Sequence, residues 1–162
     1  MEEKIKVGVI SDTHLNGYDD RLKKVVDEHF NDVNFVIHAG DIVDLRLLDI
    51  FADKDVKAVC GNMDYFSVRE KLPEKLILDV KGFKIGVIHG WGAPEEVEEK
   101  VLAKLEKVDC IIYGHTHKPA NHLIDGILFF NPGSPTDKRY AASRSLGILE
   151  IDKKVSGRII KL

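Results

Sequence analysis

Asp12, His14, Asp41, Asn62, His89, His115 and His117 each stand just beyond an apolar run of the chain. Carboxylate, amide and imidazole donors suit divalent cations of hard to borderline character, and a pair of such ions serves mainly to bind and split phosphate esters. Taken singly, each residue is explained as well by a polar loop or an ordinary hydrogen-bonded histidine. Their recurrence after apolar runs is what points to one shared site.

The segments that must carry them alternate between two periodicities. Ile5 to Ile10 is a short, β-branched apolar run that reads as a buried strand, ending at Ser11-Asp12-Thr13-His14. Leu22, Val25, Val26 and Phe30 then recur at helical spacing, with Asp19 or Asp20 placed to cap the first turn. Phe35 to Ala39 reads as a strand leading into Gly40-Asp41, Leu45 to Phe51 as a short helix, and Val56 to Cys60 as a strand leading into Gly61-Asn62. Strand and helix in alternation imply parallel pairing, and in such sheets ligands gather beyond the carboxyl ends of the strands. Leu76 to Val80 and Lys84 to Ile88 flank a hairpin-like Lys81-Gly82-Phe83, and the second run delivers His89. Pro94 opens an acidic-to-apolar helix, Cys110 to Tyr113 leads into Gly114-His115-Thr116-His117, and four further strands close the chain at 121–124, 127–130, 145–151 and 155–161. The expectation is an α/β fold of two packed mixed β-sheets flanked by helices, with residues 1–162 as a single domain.

Composition sets limits. A chain of 162 residues with 44% hydrophobic content can bury one core. Its net charge of −3, with acids and bases interspersed, gives no basic stripe for extended nucleic acid. The charged start and the absence of a long apolar stretch predict no signal peptide, no membrane span and a cytoplasmic location. Cys60 and Cys110 lie in apolar runs and read as buried free thiols.

Asp12-Thr13-His14, Gly40-Asp41-Ile42-Val43-Asp44, Gly61-Asn62-Met63-Asp64, His89-Gly90 and Gly114-His115-Thr116-His117 together resemble the motif series of the calcineurin-like metallophosphoesterases. Asn131-Pro132-Gly133-Ser134 extends the resemblance to the small bacterial and archaeal phosphodiesterase branch. Each motif alone is common; five in the family's order are specific. The resemblance implies a four-layer α-β-β-α fold and two divalent ions, manganese first and zinc, iron or nickel as alternates. It implies one ion held by Asp12, His14, Asp41 and His117, and the other by Asp41, Asn62, His89 and His115. Asp41 would bridge, with Asp41, Asn62 and His89 nearest the chemistry. The implied reaction is hydrolysis of a small phosphate ester by in-line attack of a hydroxide shared between the ions. Asp44, Asp64 and Asn131 are then candidates for orienting the ligands, although helix capping and turn chemistry explain them about as well.

Two positions depart from the family. Met63 stands where many members carry a histidine after the metal-binding asparagine, and Trp91 where small relatives often carry another. A thioether cannot protonate a leaving oxygen, so diesters with good leaving groups should be favoured. Met63 and Trp91 are expected mainly to pack against the domain, with an apolar substrate rim as the alternative. Lys138, Arg139 and Arg144 read as solvated surface, His29 and His122 as structural, and His38 as a possible neighbour of the ligands. Oligomeric state is not legible. Two other readings stay open: a protein-interaction scaffold like the retromer subunit of this fold, in which the metal chemistry is degraded, and a nuclease.

Overall fold

The computed structural model describes residues 3–162. Ten strands form two five-stranded sheets. In the first, the order is β10(Val155–Lys161), β9(Ser145–Ile151), β1(Ile5–Ile10), β2(Phe35–His38) and β3(Val56–Ala58). In the second it is β4(Lys75–Val80), β5(Phe83–Ile88), β6(Cys110–Ile112), β8(Ile127–Asn131) and β7(Ala120–Ile124). Both sheets are mixed: β1-β2-β3 and β5-β6-β8 run parallel, while β9, β10, β4 and β7 pair antiparallel. The carboxyl ends of β1, β2 and β3 therefore share one edge of the first sheet, and those of β5 and β6 share one edge of the second.

The continuous apolar runs are explained by burial of both sheet faces. Val7 and Val9 of β1 pack between the sheets with Val87, Ile112, Phe130 and Leu149, whereas Ile10, Val36 and Ile148 face outward. Successive side chains alternate faces, so adjacent residues such as Phe129 and Phe130 serve different layers. The helix α1(Asp20–His29) covers the first sheet through Leu22 and Val26, aided by the 3-10 helix Leu45–Phe51. Its cap is Asp19, whose side chain accepts from the Leu22 amide at 2.9 Å. On the second sheet, α3(Val97–Lys104) buries Val97 and Val101 against Ile111 and Phe129. This is the expected arrangement of helix, sheet, sheet and helix.

Local differences have local causes. The strand expected to reach Cys60 ends at Ala58, where the chain leaves its partner. The helix opened by Pro94 begins as a 3-10 turn over Pro94–Glu96 before α3 starts. A short helix, α2(Phe66–Lys71), lies where none was expected; it buries only Val68 and so leaves no amphipathic signature. The hairpins at Lys81-Gly82 and Asp125-Gly126 have both central residues at positive φ, 53° and 82° in one and 50° and 80° in the other, as a two-residue type I′ turn requires. Cys60 and Cys110 are free and buried.

Candidate metal centre

The loops after β1, β2, β3, β5 and β6 meet above the seam between the sheets. They leave the strands abruptly. Asp12, His14, Asp41, His115 and His117 all adopt left-handed backbone, with φ of 56°, 47°, 55°, 68° and 60°. Such values are uncommon outside glycine and cluster where neighbouring structure enforces them, functional sites above all. Enforcement is visible in the backbone: the Asp12 amide donates to Gly40 O at 3.0 Å, His14 to Asp41 O at 3.1 Å, and Gly114 to His89 O at 3.0 Å. Two glycines permit the approach. A Cβ on Gly61 would fall 2.1 Å from Asp41 Oδ1, and one on Gly114 would fall 2.1 Å from Ser11 Oγ.

The result is a compact set of donors. His117 Nε2 lies 3.3 Å from Asp12 Oδ1 and 3.2 Å from His14 Nε2; His14 Nε2 lies 3.6 Å from Asp12 Oδ1 and 3.5 Å from Asp41 Oδ2. His89 Nε2 lies 3.2 Å from Asp41 Oδ2 and 3.7 Å from Asp12 Oδ1. Asp12, His14 and His117 thus form one potential ion-holding group, and Asp12, Asp41 and His89 another. Asp41 Oδ2 is within reach of an imidazole from each group. Asn62 and His115 line the adjoining cavity, and the His115 ring meets that of His89 edge to face at 5.6 Å.

Donors bound to one cation at roughly 2.0–2.2 Å sit roughly 3.0–3.6 Å apart, which is the spacing found here. Two of these atoms, Asp12 Oδ1 and His89 Nε2, are buried without a hydrogen-bond partner among the described residues. Leaving a buried carboxylate oxygen and an imidazole nitrogen unsatisfied is costly, so the donor set fits divalent ions.

Three of the four histidines are also turned to present one nitrogen. His89 Nδ1–H donates to the Ala39 carbonyl at 2.8 Å, which leaves Nε2 facing the carboxylates. His117 Nδ1–H donates to Asp137 Oδ2 at 3.0 Å, and His115 Nε2–H to the Gly92 carbonyl at 2.8 Å. A carbonyl or carboxylate behind the imidazole is the usual way a metal-binding histidine is oriented. The carboxylates are held as well: Asp12 Oδ2 accepts from Ser11 Oγ at 2.7 Å and the His115 amide at 3.1 Å, and Asp41 Oδ1 from the Met63 amide at 2.8 Å.

Electrostatics follow from this crowding. Burial opposes ionisation of Asp12, but the adjacent His117 and His14 imidazoles and the charge of His89 hold its carboxyl far below the usual range. Burial likewise opposes a charged His89, yet the adjacent Asp41 and Asp12 carboxylates lift it to about 9. The adjacent Asp12 carboxylate raises His117 against its partial burial.

The remaining candidates divide. Asp64 accepts from the Gly61 and Val43 amides at 2.6 and 2.5 Å, tying the loop after β3 to the loop after β2. Asn131 Nδ2 donates to Gly114 O and Thr116 Oγ1, both at 3.0 Å, and so pins the loop that carries His115 and His117. Asp44 instead caps the 3-10 helix and pairs with Arg46, its contacts all on the capping side of the two readings. Met63 and Trp91 do not pack into the domain as expected: they are 58% and 38% exposed, Met63 on the rim of the donor cavity and Trp91 in a neighbouring one. The Met63 amide is held by Asp41 and the Gly92 carbonyl by the His115 ring, which anchors both loops by their backbone and leaves these large groups outside. Arg139 and Tyr140 line the donor cavity, so Arg139 is not merely distant surface.

Sequence reasoning missed Ser11 and Asp137. Asp137 joins His117 to the Arg139 guanidinium at 2.8 Å and lies just beyond Asn131-Pro132-Gly133-Ser134, whose Ser134 Oγ accepts from the Asp137 amide at 3.0 Å. Adjacency to that motif was the available signal. His38 proves to be a buried prop: Gly40 N–H donates to its Nδ1, leaving Nε2–H for Thr13 Oγ1, and burial holds it neutral with a pKa down at about 3.

Comparison with known proteins finds relatives of the chain by sequence and by fold. The chain is 40% identical over 160 residues to a probable metallophosphoesterase of Methanocaldococcus jannaschii, covering 96% of this chain and 81% of that one. Its fold matches a solved archaeal phosphodiesterase with a TM-score of 0.75 and 28% identity, over 98% of this chain and all of the other. It also matches zinc-complexed Vps29 of Entamoeba histolytica with a TM-score of 0.65 and 25% identity, over 97% of this chain and 99% of that one. The model of the calcineurin-like phosphoesterase superfamily domain matches residues 5–154, and with two sheets, flanking helices and these motifs in place, the chain belongs to that superfamily.

Proposed function

We propose that this protein is a phosphodiesterase dependent on two divalent ions, held by Asp12, His14, Asp41, Asn62, His89, His115 and His117. The observation that carries the reading is the pair of buried, partnerless atoms, Asp12 Oδ1 and His89 Nε2, in the middle of correctly spaced donors. When bound, the ions supply Lewis acidity toward phosphoryl oxygens and an activated water. The protein's own contribution is to fix the donors. Ser11 and the His115 amide hold Asp12, the Met63 amide holds Asp41, and Ala39 O, Asp137 and Gly92 O orient His89, His117 and His115. Asp41 lies between the two histidine groups and is the natural shared ligand.

The ions are manganese by preference, with zinc, iron or nickel as acceptable replacements, since oxygen and imidazole donors take several metals. No imidazole stands at positions 63 and 91, which favours diesters whose leaving group needs no protonation. Turnover of bis(p-nitrophenyl) phosphate, p-nitrophenyl phosphate and an alkyl phosphate with added manganese tests this, together with elemental analysis of the purified protein. Metal-dependent turnover highest on the aryl diester is expected; faster hydrolysis of the alkyl monoester contradicts the preference, and activity in chelated, metal-free protein contradicts the mechanism.

The likeness to Vps29 favours one second reading, a scaffold that binds a protein partner on this fold. Tight partner binding without metal-dependent turnover would establish it instead.

A further inference from the structure

A second cavity of about 330 Å³ lies beside the donor set and shares walls with it through Asn62 and His89. Its other lining residues include Arg69 from α2, Glu74, Trp91 and Lys104 at the end of α3. These come from four separate places in the chain. Trp91 is partly exposed, and neither Arg69 nor Lys104 forms an ion pair among the described residues. The volume falls at the lower end of the roughly 300–1,000 Å³ of small-molecule sites.

The lining chemistry selects the occupant. A wholly apolar ligand would desolvate two cations and a carboxylate without partners, and a bare anion would leave the indole unused. An aromatic group that carries both an anion and hydroxyl donors satisfies all four side chains: base–aromatic stacking on Trp91, charge-assisted bonds to Arg69 and Lys104, and a hydroxyl donated to Glu74. We propose that this cavity binds a nucleoside monophosphate group whose sugar is esterified to the scissile phosphate, so that its own phosphate meets Arg69 and Lys104 while the scissile one lies at the donor set. That link to the scissile phosphate rests on the phosphodiesterase reading; the binding site does not. Trp91 then occupies a position where family members carry an imidazole because it recognises substrate there.

Trp91 is the sole tryptophan, so its emission reports on the cavity directly. Adenosine 5′-monophosphate titrated into the full-length protein, as purified and again after chelation, should quench that emission saturably in both states. Arg69→Ala and Lys104→Ala should each weaken the binding about tenfold, with Arg69→Lys restoring much of it, and adenosine without its phosphate should bind correspondingly worse. In turnover, Trp91→Ala should shrink the KM advantage of bis(p-nitrophenyl) phosphate over methyl p-nitrophenyl phosphate about tenfold. Non-saturable quenching, or equal affinity for the nucleotide in the wild type and both alanine variants, overturns the cavity assignment. Nucleotide binding without any metal-dependent hydrolysis upholds the site while discarding its role as a substrate half, so the two failures are distinguishable.

Discussion

The two sheets make unequal contributions to the donor set. The first supplies both carboxylates, Asp12 and Asp41, together with His14 and Asn62; the second supplies only imidazoles, His89, His115 and His117. Neither half is a site. Asp12 and Asp41 without His89 and His117 are two anions crowded in a buried place, and the histidines alone offer nitrogen donors without charge to balance a pair of dications. The site is therefore a product of packing between the sheets, and its integrity should track that packing as closely as it tracks the ligands themselves.

The largest effect should come from the seam. Phe130 of the second sheet is fully buried, and its ring lies against Gly147 and Gly157 of the first. Phe130→Ala should lower unfolding free energy by about 3–5 kcal/mol in chemical denaturation and weaken metal binding in the same protein, although residue 130 touches no ligand. Unchanged metal affinity in the folded variant would show that the halves hold their relation by other means. Next in size, Asp41→Asn removes the carboxylate that stands between both histidine groups. It should cut kcat/KM for bis(p-nitrophenyl) phosphate by more than about 100-fold, comparable with loss of a major electrostatic stabiliser, while leaving the denaturation midpoint nearly in place.

Asp137→Asn probes the second sheet's imidazoles alone. Weakening the acceptor behind His117 should reduce metal affinity about 10–100-fold in a competition titration with a chelating dye, a smaller loss than at Asp41. The smallest effect concerns the first sheet. His38 is buried with a folded pKa of about 3, against an ordinary value of 6.5. The unfolded chain takes up a proton in that window and the folded chain does not, so His38 makes stability fall as pH drops from 6.5 toward 3. At one unit below 6.5 the loss is about 1.4 kcal/mol. Denaturation of metal-free protein at pH 7.5 and 5.5 should show His38→Gln less acid-sensitive than wild type by that amount; equal sensitivity would show that the ring charges freely in the folded state.

Much of this architecture was legible because both sheet faces are buried, which writes strands as unbroken apolar runs such as Ile5–Ile10. The candidate donor residues were legible because parallel strands deliver them at one edge, each beyond such a run. α2 was not, since Val68 alone turns inward and six residues give no helical stripe. Ser11 and Asp137 escaped because their importance lies in hydrogen bonds: one to an adjacent carboxylate, the other to a histidine twenty residues away. The cations of the second cavity were equally hidden. Arg69 and Lys104 look like any exposed helix residues until the fold brings them to the wall of one cavity with Trp91. Met63 and Trp91 illustrate the converse, where hydrophobicity suggested burial and loop anchoring kept them out.

The tight turns at Lys81-Gly82 and Asp125-Gly126 sit at the ends of their strands opposite those that lead to His89 and lead away from His117. A Cβ at either glycine would meet no atom within 4 Å. Loop tips of that kind accept inserted peptide readily. An epitope or a surface-coupling handle grafted into the 125–126 turn would hold the molecule by its back, with the donor cavity facing the bulk liquid and open to whatever diffuses in.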